Sequence, residues 1–151
     1  MNAGRLMPAL AAPLVAGLVA LSVLLASGTA PAGEMAIFLG TVGVGSAKPE
    51  VETELRSLLR AELASAEFSR VKTNQRYVLS ATLVRLDSVQ SAESARATCV
   101  LSVAVLRGGS TLHALIHGRA TAEEAKAPAA RSDALRAAVH SAMRRVPKAL
   151  R

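Results

Sequence analysis

The sequence predicts an α+β domain with the element order β-α-β-β-β-α: a mostly antiparallel four-stranded sheet with two helices on one face. Three observations point there. Two segments repeat apolar residues at three- and four-residue spacing, as helices buried along one side do. Around them lie runs rich in β-branched and apolar residues, which read as strands. Gly108-Gly109 splits the longest of these runs, as the tight turn of a hairpin would.

Before the first strand the chain carries an address. Arg5 is the only charged residue ahead of Glu34, and Leu14 to Ala26 is a nearly pure apolar run of 13 residues. Ala30-Pro31-Ala32 then offers small residues at the spacing that signal peptidase reads. A basic start, a short apolar middle and a small-residue exit describe a secretory signal peptide over residues 1–32, followed by a single α+β domain over 33–151. Counting from Ala9 stretches the run to 18 residues, the short end for spanning a bilayer, so a retained anchor is the alternative. Lipoprotein processing needs a cysteine directly after the apolar run, and Cys99 comes far too late. The expected location is periplasmic or secreted, without a lipid, with membrane contact only through the signal segment.

Met35 to Val44 reads as the first strand, loosened by Gly40 and Gly43. Pro49 opens a helix, where its missing N–H costs nothing, and Glu50, Glu52 and Glu54 suit the positive end of the helix dipole. Val51, Leu55, Leu58, Leu59 and Leu63 then mark an amphipathic helix from Pro49 to Phe68. Tyr77 to Leu86 is the second strand, with Val84 and Leu86 suggesting a bulge or a covered outer face. Asp87 to Ser94 is a polar loop.

The hairpin Ala95–Ala122 follows. With Gly108-Gly109 as a two-residue turn, paired residue numbers sum to 217. Val105 then meets Leu112, Val103 meets Ala114, Leu101 meets Ile116 and Cys99 meets Gly118, all on one apolar face. Ala104–His113, Ser102–Leu115 and Val100–His117 form the other. A one-residue slip would drive Arg and His into the core, so the faces are strongly specified. Glu123 to Arg131 reads as a linker. Ser132 is the expected N-cap of a last helix, with Asp133 in its first turn, and Pro147 marks its end. Leu135, Val139, Met143 and Val146 form its apolar stripe.

Composition narrows the chemistry. Two Phe, one Tyr and no Trp cannot build the stacking platforms that hold single-stranded nucleic acid, so no nucleic-acid partner is expected. Gly40 to Lys48 joins a strand to a helix, but it lacks the Gly-Lys-Ser/Thr of a phosphate loop, and three acids crowd the helix start. His113 and His117 lie about 13 Å apart along one strand face, too far to share a metal ion. Cys99 points inward, as a buried small hydrophobe rather than a nucleophile. The residues assemble no catalytic, cofactor or metal site, and a non-enzyme is expected.

Charge is the remaining signal, at a net +7 with fourteen Arg against four Lys. Arg136, His140, Arg144 and Lys148 recur every four residues on the last helix, opposite its apolar stripe, and Arg145 thickens the strip. This is a candidate docking surface for an anionic partner: an acidic envelope protein, a lipid headgroup or lipopolysaccharide. The bland reading is a solvated face at a helix C-terminus, where cations are favoured anyway.

The order β-α-β-β-β-α behind an export signal resembles the small envelope domains of the lipopolysaccharide-assembly lipoprotein family. The amino-terminal domain of the Tol translocation protein is similar in shape at a greater distance. The resemblance spans about 115 residues of topology and departs in the absence of a lipobox cysteine. It implies a non-enzymatic accessory protein of a Gram-negative envelope that works by protein contacts, for which an edge strand of the sheet and the basic last helix are the candidate docking surfaces.

Overall fold

Strand β1 (Ala36–Gly43) enters a turn in which Gly45 takes φ of 58°, a conformation that suits glycine. Helix α1 (Pro49–Ser65) starts on Pro49 and turns Leu55 and Leu59 into the core. These features come from a computed structural model that describes residues 36–68 and 75–151. The expected signal peptide and the start of the domain lie outside the described residues. Helix α1 stops at Ser65, short of Phe68, because Ala66 is already extended at ψ 133°.

Strands β2 (Arg76–Gln90), β3 (Ala95–Arg107) and β4 (Thr111–Glu124) complete a sheet of order β1-β2-β3-β4. The β1–β2 pair, joined through α1, is parallel; β2–β3 and β3–β4 are antiparallel. Helix α2 (Ala127–Met143) and the single turn α3 (Val146–Ala149) follow. The predicted α+β architecture is therefore the observed one.

Several boundaries differ from expectation, each for a local reason. Strand β2 does not end at Leu86. A bulge between Leu83 and Arg85 leaves Val84 without a partner and resets the alternation, so Leu86 pairs with Cys99 and Ser88 with Ala97. The loop shrinks to a tight turn in which the Ser91 N–H donates to the Ser94 carbonyl at 2.7 Å. Glu123 and Glu124 belong to β4 rather than to a linker, opposite Arg96 and Ala95. Helix α2 begins at Ala127 with a proline in its first turn, not at Ser132. Ser132 lies inside the helix and its hydroxyl donates to Glu54 of α1. Pro147 opens α3 instead of ending the chain's last helix.

The hairpin keeps its predicted faces along β3 and along β4 from Ala114 onward but changes its register. Leu112, expected to face inward opposite Val105, instead lies exposed on the open face opposite Leu106. Arg107 pairs with Thr111 around a three-residue loop, with Gly108 and Gly109 at φ of 63° and 84°. A bulge at His113 then shifts the pairing again, so Val105 meets Ala114, Val103 meets Ile116 and Leu101 meets Gly118. The offset from the expected sum of 217 is two residues, which preserves parity. Val105, Val103, Leu101, Cys99 and Ala97 are all fully buried.

Helix α2 lies over β3 and β4 on a seam of small side chains. Ala130, Ala134, Ala138 and Ala142 recur every four residues and are fully buried. The seam bears down on Gly118: a β-carbon there would stand 2.2 Å from the Ala138 carbonyl oxygen. Leu101 thus pairs across the ladder with a residue that has no side chain, and the helix backbone occupies the space. Cys99, also fully buried, has its thiol pushed from the usual 9.0 up to about 11 by that burial. Native protein at pH 8 should react with a thiol reagent at least ~100-fold more slowly than urea-unfolded protein. Equal rates would place Cys99 outside the core. The folded state holds the proton more tightly, so this contribution to stability fades as pH rises from 9.0 towards about 11.

Candidate functional site

Helix α2 buries Leu135, Val139 and Met143, and α3 buries Val146, which fixes the cationic strip on the solvent side. Arg136, His140, Arg144, Arg145 and Lys148 are all exposed, as their spacing predicts. The strip is nonetheless divided. Arg136 lies 3.7 Å from Asp133 and lines a groove shared with Glu50, Thr53 and Glu54 of α1. Its surroundings are acidic, which makes it a poor anion ligand.

The other four cationic positions gather around one open concavity of about 410 Å³, together with Ala137 and Ser141. His140 Nδ1 sits 3.0 Å from Glu62, so its ring ties α2 to α1. The guanidinium of Arg145 donates to the His117 carbonyl at 3.1 Å, which covers part of the free edge of β4 with the chain's own side chain. Among the described residues no acid pairs with Arg144 or Lys148. Of the strip, these two side chains are in no described ion pair, although Arg144 also lines a second groove with Glu62 and Glu67. Arg145 and His140 frame them.

The two hairpin histidines do not share a face. The bulge turns His113 to the helix side, where Nε2 lies 3.1 Å from the Ala149 carbonyl and the ring stands 5.4 Å from that of Tyr77. His117 pairs with Ser102 on the open face. Among the described residues no three His, Cys, Asp or Glu side chains converge as metal ligands, and no helix is long and apolar enough to cross a membrane. At the far end of the open face, Glu123 accepts hydrogen bonds from Ser94 and Arg96, which together hold its carboxyl below the usual range.

Helical spacing alone could show which cations share a face. It could not show that Arg136 belongs to an acidic groove, because Glu50 and Glu54 reach it from another helix. Nor could it show the Arg145 contact, which depends on the kink between α2 and α3.

No family model matches the chain, and no protein of curated function matches its sequence. Among solved structures it is similar to a candidate lipoprotein from Caulobacter crescentus, with a TM-score of 0.47 and 17% identity over 72% of this chain and 86% of that one. It is also similar to a minor lipoprotein from Acinetobacter baumannii, with a TM-score of 0.44 and 8% identity over 74% of this chain and 90% of that one. A third is the PelC dodecamer protein from Paraburkholderia phytofirmans, with a TM-score of 0.42 and 10% identity over 72% of this chain and 86% of that one. The likeness is one of fold alone.

Proposed function

We propose that this chain is an exported, non-enzymatic interaction protein of the cell envelope, docking an acidic partner through the concavity at the end of α2. The observation that carries the reading is the pair Arg144 and Lys148, exposed and in no described ion pair, beside Arg145 on the edge of β4. The apolar run bounded by Arg5 and Ala30-Pro31-Ala32 supports export. Protein expressed with its own N-terminus and recovered from a periplasmic fraction should have an intact mass beginning near Gly33. A full-length product held in the membrane would overturn cleavage.

Docking is tested by charge reversal. Arg144→Glu with Lys148→Glu should leave the fold in place, because both side chains are exposed and neither is in a described ion pair. Loss of favourable dipole contacts should cost about 0.3–1 kcal/mol per charge. Capture of acidic envelope protein should fall at least ~10-fold, and raised salt should mimic it in part. Adding Arg136→Glu should change little more, since that side chain already faces Asp133. A double variant that folds and captures its partner at full strength would remove the docking reading. Binding of the wild type to vesicles containing anionic lipid, with no protein captured, would replace it with headgroup recognition.

A further inference from the structure

One face of the sheet is covered by α1 and α2, and the other is open. A half-solvated antiparallel sheet ordinarily alternates apolar inward and polar outward. Here that rule fails over one end of the open face. Phe38 pairs with Val78, Val78 with Leu106, and Leu106 with Leu112. These four side chains form an unbroken apolar row across all four strands, about 14 Å wide. Ala104 and Leu115 pair in the next row. Leu112, Leu115 and Phe38 are 59%, 53% and 45% exposed. The opposite end of the same face is charged, with Arg85 against Asp87 and Arg96 against Glu123. Valines there stand singly among polar neighbours.

We propose that this open face is the contact surface between two copies of the chain, packed sheet to sheet. Two features favour a second copy. The row is self-complementary: a two-fold axis parallel to the strands sets β1 over β4 and β2 over β3. Phe38 then faces Leu112 of the other copy and Val78 faces Leu106, large against large and branched against branched. At the charged end Arg85 pairs with Asp87 and Arg96 with Glu123 within each copy. The two further cations of the face, Arg76 at the start of β2 over the Phe38 ring and Arg119 on the edge strand β4, lie at its margin. The size also fits. Strands of 8, 15, 13 and 14 residues present about 800 Å² of sheet surface, the usual contribution of one partner to a stable interface.

Sedimentation equilibrium of the purified full chain tests this, beside Leu112→Lys with Leu115→Lys. Both side chains are exposed, so the double variant should keep the wild-type circular dichroism spectrum, while only the wild type should melt at a temperature that rises with protein concentration. The wild type should be dimeric at about 50 μM, and the double variant should associate at least ~100-fold more weakly. Residues 1–35 are the same in both, so association through the apolar run would persist in the variant. A second arm fixes the geometry. Copies carrying Phe38→Cys mixed with copies carrying Leu112→Cys should be joined by a bis-maleimide of about 10 Å reach, the spacing of stacked sheets. Phe38→Cys alone should not be joined, because the two-fold axis sets those positions further apart. A monomeric wild type, an unchanged dimer in the double variant, or crosslinking of Phe38→Cys alone would each overturn the proposal.

Discussion

Gly118→Ala should destabilise the protein by about 3 kcal/mol, although alanine ordinarily improves a strand position held by glycine. Gly118 has no need of positive φ; its requirement is space. The new β-carbon would stand 2.2 Å from the Ala138 carbonyl oxygen and 3.0 Å from the Ala142 β-carbon. The first obstacle is helix backbone, which cannot rotate aside as a side-chain tip can. Helix α2 must lift from β4, and the fully buried seam of Ala130, Ala134, Ala138 and Ala142 lifts with it. Urea unfolding would show a lower midpoint with an unchanged slope. A variant as stable as the wild type would mean that α2 does not cross β4 at this point.

Leu101→Ala should cost about 2–5 kcal/mol, the range for removing a buried leucine and leaving a cavity. Leu101 is fully buried, pairs with Leu83 on one side and Gly118 on the other, and lies under α2. Collapse around the cavity is hindered, because the alanines of the seam carry only a methyl group, which cannot swing into it. Thr98→Ala is the matching control. Its hydroxyl meets that of Thr121 at 3.2 Å on the open face, an exchange with water worth less than about 1 kcal/mol. Reversed costs would mean that the inner and outer faces of the hairpin have been exchanged.

The hairpin shows how far pattern reading reaches. Alternation from Ala95 to Val105 assigned every inward side chain correctly, because exposing Leu101 and Val103 while burying Arg96 would reverse the whole hydrophobic gain. The pairing was less legible. A two-residue offset leaves every face unchanged, so hydrophobicity cannot detect it. Only the three-residue loop and the bulge at His113 decide it. The same bulge moved His113 to the helix side, which strand alternation assigns to the open face. In the candidate site, helical spacing placed the cations on solvent. Which of them remain unpaired depended on Asp133, Glu62 and the His117 carbonyl, two of which come from other elements.

Residue type and spacing were therefore enough for the class of fold, the buried stripe of α2, the inward faces of β3 and of β4 beyond its bulge, and the burial of Cys99. Each follows from local periodicity acting against water, and no partner segment need be known. Tertiary structure alone decided the rest. The order of the strands, the meeting of Phe38, Val78, Leu106 and Leu112 in one row, and the division of the cationic strip all bring together residues far apart in the chain. Such contacts are set by register, bulges and the close crossing of α2 at Gly118, where a shift of two residues or one methyl group changes the neighbours without changing the pattern.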